Sequence, residues 1–138
     1  MDKKTAMSGE WAMLIQKAME AQKRSHAPYS RFHVGAALED ESGKIFLGCN
    51  VENSNYSESL CAERVAVVKM VSEGSKRVKR IAVITSSDEP CFPCGSCLQV
   101  LQEFGSPQVL AMDAQGEQFK ELKFDALLPY RFSGEQLK

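Results

Sequence analysis

Several features are missing from this sequence, and each absence excludes a class of protein. Met1 to Glu10 hold no apolar stretch resembling a signal peptide. Hydrophobic residues make up 43% and charged residues 25%, ordinary globular proportions that leave neither disorder nor membrane spanning as a reading. The formal net charge is -1, so no basic excess points to a nucleic-acid polymer as partner. The one basic run, Lys76-Arg77-Val78-Lys79-Arg80, carries no interleaved aromatic residue and reads as a solvated connection. There are only two histidines, His26 and His33, neither with a second histidine at ligand spacing, and both read as hydrogen-bonding residues. Internal repeats, low-complexity segments and linkers are also missing. The 138 residues fit a single domain, 1–138, able to bury a core without disulfide staples. Five cysteines are an odd count, which argues against a secreted disulfide framework. The expected setting is the cytoplasm with reduced thiols, where clustered cysteines mean metal or redox chemistry.

Apolar residues recur at Trp11, Leu14, Ile15, Ala18 and Met19, which predicts an amphipathic helix from Ser8, as N-cap, to about Ser25. His26-Ala27-Pro28 ends it. Phe32–Leu38 and Lys44–Cys49 read as strands joined by the turn Asp40-Glu41-Ser42-Gly43. Cys61–Glu73 reads as a helix with apolar residues round most of its circumference, buried on more than one side against a sheet or another subunit. A strand at Arg80–Ser86, a helix at Cys94–Phe104, strands at Gln108–Met112 and Glu117–Leu122, and a short helix near Phe124–Leu128 complete the order. That order predicts a layered α/β domain with helices on both faces of a mixed five-stranded sheet.

Two segments concentrate the chemistry: Cys61-Ala62-Glu63-Arg64 and Pro93-Cys94-Gly95-Ser96-Cys97. Both fall at expected helix N-termini, where free N–H groups and the helix dipole favour thiolate over thiol. Cys94 and Cys97, one turn apart, can chelate one ion with Cys61 as third ligand, leaving a tetrahedral position open for water. Three thiolates leave the Zn²⁺ site with net negative charge, which Arg64 can offset by donating to the sulfurs. Glu63, beside the metal without ligating it, suits a proton shuttle. The cysteines alone permit other readings. Cys91-x-x-Cys94-x-x-Cys97 has iron–sulfur spacing, without the usual fourth cysteine-proline. Cys94-Gly-Ser-Cys97 also has the form of a dithiol redox motif, though no strand runs directly into it. Cys49 reads as a buried strand residue and Cys91 as a loop residue without a role.

Taken together, the two cysteine segments resemble the all-cysteine form of the zinc-deaminase signature, a cysteine with a glutamate two residues on and a later Pro-Cys-x-x-Cys. With Ala27-Pro28-Tyr29-Ser30-Arg31-Phe32-His33-Val34-Gly35-Ala36-Ala37, Gly48-Cys49-Asn50-Val51-Glu52-Asn53 and Leu127-Leu128-Pro129-Tyr130-Arg131-Phe132, the chain is similar along nearly its whole length to the homotetrameric cytidine deaminases. The resemblance implies a three-layer α/β/α sandwich, one Zn²⁺ per subunit and a nucleoside substrate, with sites near subunit junctions of a homotetramer. It further implies that Phe32 packs on the pyrimidine and that Asn50 and Glu52 hold the sugar. Backbone groups near Ala62 and Cys94 would meet the base. Tyr56 would lie at a subunit junction, and Phe132 would cover a neighbour's site. Leu98 departs from the arginine that many relatives carry after the last cysteine, and Val65 stands where threonine is frequent. The implied activity is hydrolysis of cytidine and deoxycytidine to uridine and deoxyuridine plus ammonia, in pyrimidine salvage. The rivals are a deaminase of the blasticidin S type, against which Glu52 and Arg64 argue, and a structural zinc or iron–sulfur module using Cys91 as fourth ligand.

Overall fold

Apolar residues alternate along the central segments, so each strand offers two faces to be covered. Ala36, Leu38, Ile81, Val83 and Val109 point one way, while Ala37, Ala82, Ile84, Leu110 and Met112 point the other. In the computed structural model, which describes residues 1–138, these segments form one five-stranded sheet. The strands are β1 (Gly35–Asp40), β2 (Ile45–Cys49), β3 (Val78–Ile84), β4 (Gln108–Met112) and β5 (Phe119–Leu122), in the spatial order β2-β1-β3-β4-β5. The β3–β4 pair is parallel and the other pairs are antiparallel, which makes the sheet mixed.

Helices α1 (Lys3–Ser8) and α2 (Ala12–Gln22) cover one face, packing Trp11, Leu14, Ile15 and Ala18 on it. The opposite face carries α3 (Ala62–Ser72), α4 (Gly95–Gln102) and α5 (Phe124–Leu127), with Val67, Met70, Leu101 and Phe124 in the core. The result is the three-layer α/β/α sandwich. No helix is long and apolar enough to cross a membrane.

Two glycines set how closely the layers approach. A Cβ on Gly48 would lie 2.2 Å from the Ala62 carbonyl of α3, and one on Gly35 would lie 2.1 Å from the Ala18 carbonyl of α2. Both strands therefore need glycine where a helix backbone rests on them.

The helix expected from Ser8 is two helices. Ser8 is the last residue of α1, not a cap, and Gly9 closes that helix with its N–H on the Thr5 carbonyl. Asp2 caps α1, and Trp11 stands at the head of α2. The first strand begins at Gly35, three residues later than expected, because the Asn50 side chain occupies the backbone groups of Phe32 and Val34. The basic run is a solvated connection only at Lys76 and Arg77, since Val78 to Arg80 open β3. Arg80 is largely buried over the Trp11 ring and pairs with Glu10 and Glu39, so two carboxylates, not solvent, hold its charge. Cys49 is partly exposed, not buried.

Candidate active site

The site forms where the loops after β2 and β3 run into the starts of α3 and α4. Ligands in sheets of this kind bind beyond the carboxyl ends of the strands. Cys61 and Cys94 are the N-cap residues of α3 and α4, each in extended backbone just before its helix. Cys97 lies one turn into α4 and is buried. Side chains on a first helical turn and on a neighbouring cap converge, and the three sulfurs lie within 4.8 Å of one another. Tetrahedral thiolates with Zn–S bonds of about 2.3 Å stand about 3.8 Å apart, so a small contraction closes the trio on an ion. Cys91 is outside the trio. Its thiol donates to the Glu89 carbonyl at 3.6 Å, so the structure assembles three thiol ligands, not four.

The charges around the trio fit a cation. Cys61 is pulled down to about 6, first by a hydrogen bond from Cys97 and then by Cys94 and the Arg64 guanidinium. Cys97 is pushed up as the partner that holds its proton for Cys61. Arg64 Nη2 donates to Ser96 Oγ at 2.7 Å, while its buried Nε has no partner. A guanidinium N–H left over beside thiols suits the charge-assisted bond that metal-bound thiolates accept. Leu98 is buried in the core and brings no charge to this group.

Glu63 lies on the first turn of α3 and is only 6% exposed. Burial pushes its carboxyl up to about 7, and the Cys61 thiolate adds to the rise. A carboxyl balanced near neutrality can both accept and return a proton, which is what acid–base catalysis requires.

Glu63, Ala62, Cys61 and Cys94 face a pocket of about 290 Å³ whose far side is formed by Phe32, Asn50 and Glu52. Asn50 and Glu52 project together because Val51 between them pairs with Leu60 and His26 like a strand residue. Glu52 accepts from the Tyr29 and Ser30 N–H groups at 3.0 and 3.1 Å and from the Ser30 hydroxyl. The Ser30 hydroxyl bond holds this carboxyl below the usual carboxylate range, so it enters the pocket as an acceptor. Phe32 comes directly after Arg31, whose φ of 59° turns the chain so that the ring stands at the pocket mouth.

Tyr56 and Phe132, expected at subunit junctions, do not line this pocket. Tyr56 is 72% exposed and lines an adjoining recess of about 330 Å³ with Tyr29, Ser30, Glu52 and Ser59. Phe132 stands on the exposed C-terminal strap, anchored by Gln99 to its carbonyl, and does not line its own chain's pocket. Thr85, Cys91 and Phe92 line the pocket although their sequence context gave them no role. Thr85 carries one usable signal, since it stands directly after the carboxyl end of the central strand β3, where ligands of such sheets gather. A larger groove of about 710 Å³ along α1 and α2 holds no cysteine and faces away from this chemistry.

Three convergent thiols beside a protonatable carboxyl define the class as a metal-dependent hydrolase. The family model for the cytidine and deoxycytidylate deaminase zinc-binding region matches residues 10–113. A cytidine deaminase of Sporosarcina psychrophila is 44% identical over 126 residues, covering 90% of this chain and 92% of that one. A probable cytidine deaminase of Dictyostelium discoideum is 45% identical over 124 residues, 89% of this chain and 84% of its own. Among solved structures, the cytidine deaminase of Burkholderia pseudomallei superposes with a TM-score of 0.82 at 40% identity, covering 87% of this chain and 97% of that chain. The chain belongs to the zinc-binding cytidine deaminase family. It is a hydrolytic deaminase with one zinc ion per subunit, and the cluster positioned to hold that ion is Cys61, Cys94 and Cys97.

Proposed function

We propose that this enzyme converts cytidine and 2′-deoxycytidine to uridine and 2′-deoxyuridine with release of ammonia, serving pyrimidine salvage in the cytoplasm. The observation that carries the reading is the single pocket uniting the Glu63 carboxyl and two thiols of the trio, Cys61 and Cys94, with Asn50 and Glu52. Cys61, Cys94 and Cys97 hold zinc, which when bound supplies the acidification that makes water a nucleophile near neutral pH. Glu63 accepts the proton of the attacking water and delivers it to N3 of the base. It then takes the proton of the new C4 hydroxyl and passes it to the amine, which leaves as ammonia while the C4 carbonyl forms. Phe32 packs on the pyrimidine ring, and backbone groups of Ala62 and Cys94 bind its amide edge. Asn50 and Glu52 grip the sugar. No lysine or arginine lines the pocket, and the Glu52 carboxylate repels anions, which favours a nucleoside over a nucleotide.

Residues 1–138 act as one domain, because both cores rest on the same sheet. Leu60, Val68, Tyr130 and Phe132 are all substantially exposed, which supports a homotetramer in which Tyr56 and Phe132 lie near a neighbouring site. Light scattering after gel filtration checks the assembly. The activity is tested with Glu63→Gln, assayed for ammonia on cytidine, deoxycytidine, cytosine and blasticidin S, with zinc measured alongside. The expected result is zinc retained, and turnover on the first two substrates present in the parent and lost in the variant. Wild-type turnover by the variant would remove Glu63 from the mechanism.

A further inference from the structure

The Asn50 carboxamide is not free to choose its orientation. Its Oδ1 accepts the Val34 N–H at 2.9 Å and the Ser25 hydroxyl, and its Nδ2 donates to the Phe32 carbonyl at 2.7 Å. A backbone N–H can only donate, so the oxygen end of the amide must face Val34. Ser25 therefore directs its one proton to Asn50 Oδ1. His33 Nδ1, 3.0 Å from Ser25 Oγ, then meets only a lone pair, which fixes the proton on Nδ1. His33 is pinned in turn: its carbonyl accepts from Gln22 Nε2 at 3.0 Å, and its N–H donates to Ser86 Oγ at 2.8 Å. A chain of donors thus runs from His33 through Ser25 to Asn50.

The chain also determines what Asn50 can offer. Both lone pairs of Oδ1 and one N–H are taken within the protein, leaving one N–H to face a ligand. Asn50 is 9% exposed, so rotation out to solvent is not an easy escape. Beside it, Glu52 can only accept. A fixed donor next to a fixed acceptor matches a hydroxyl, which does both.

We infer that Ser25 and His33 are positioning residues, which lock the Asn50 carboxamide as a donor to one sugar hydroxyl of the substrate. The inference rests on the reading that Asn50 meets the sugar. Ser25→Ala removes one neutral hydrogen bond that orients the amide, so KM for cytidine rises about three- to tenfold. The kcat stays within about twofold, because the reacting base is untouched. Ser25→Thr keeps a hydroxyl and restores KM. His33→Ala shifts KM in the same direction by less. The discriminating substrate is 2′,3′-dideoxycytidine, assayed by turnover or by competitive inhibition. It lacks the hydroxyl in question, so its affinity is the same in wild type and Ser25→Ala.

Equal losses on both substrates in Ser25→Ala, with a lowered Tm, would make Ser25 merely structural and overturn the proposal. Unchanged KM for cytidine would overturn it as well. Asn50→Ala separates the two levels. If Asn50→Ala weakens cytidine and the dideoxy analogue equally, the sugar reading falls and the positioning role with it. If it weakens cytidine alone while Ser25→Ala does not, the sugar reading stands and the positioning role alone fails.

Discussion

Gly48→Ala should separate loss of stability from loss of the metal centre. The added Cβ would sit 2.2 Å from the Ala62 carbonyl and 2.6 Å from the Ala66 N–H, where ordinary contact begins at 3.4 Å. Both neighbours are helix backbone, so no side chain can rotate aside, and α3 must lift by about 1 Å. Overpacking of this sort costs about 1–3 kcal/mol, with the upper end expected for backbone. The lifted helix carries Cys61 and Glu63, whereas Cys94 and Cys97 stay on α4. A misplacement of about 1 Å in a catalytic constellation can cost on the order of a hundredfold in rate. Gly48→Ala should therefore lower the urea midpoint, bind zinc less tightly and lose most of its kcat. Gly35→Ala is the matched control. Its Cβ meets α2 on the other face, 2.1 Å from the Ala18 carbonyl, with a comparable stability penalty. That variant should keep its zinc, and its KM should rise, because α2 ends at the Gln22 that anchors His33. Urea titrations, metal analysis of dialysed protein and steady-state kinetics on both variants decide. If Gly48→Ala matches Gly35→Ala in zinc content and kcat at equal destabilisation, the close contact of β2 with α3 does not set the site.

The charged groups and Cys91 give three further expected outcomes. The Glu63 carboxyl ionises near 4.5 when unfolded and about 7 when folded, so its contribution is fully present below 4.5 and is lost as pH rises through 7. In metal-free protein that loss is about 3 kcal/mol, and Glu63→Gln should flatten it in urea midpoints compared at pH 4.5 and 7.5. Ser30→Ala removes the hydroxyl that keeps Glu52 ionised, so the acid limb of the KM–pH profile should move to higher pH while kcat hardly changes. Cys91→Ser should retain one zinc per chain by metal analysis, whereas metal loss would restore a four-cysteine site.

The sequence carried the periodic parts of the fold well. Gln108–Met112 is a strand to the residue, and Cys61 and Cys94 do stand at helix starts, because alternation and capping positions are local signals. The thiol trio was legible for the same reason, since each half sits on one helical turn. What escaped was long-range. Gly9 splits the first helix although the apolar spacing runs on through Trp11, and nothing local announces that Asn50 delays β1 by capturing Phe32 and Val34. Ser25 lies 25 residues from its partner Asn50, and Cys91 reaches the pocket only through the path of an irregular loop. Periodicity has no means of registering either contact.

The placement of the thiols has a kinetic side. One ligand caps α3, while the other two open α4 behind the irregular stretch from Ser86 to Pro93, which has no regular secondary structure. An ion at this point is a tether between two helix starts on one face of the sheet. Local opening of the first turn of α4 is enough to release it while the strands stay paired. Metal exchange would then run on the clock of that turn and not on global unfolding, so the holding time of the ion reports how often α4 lifts from its neighbour.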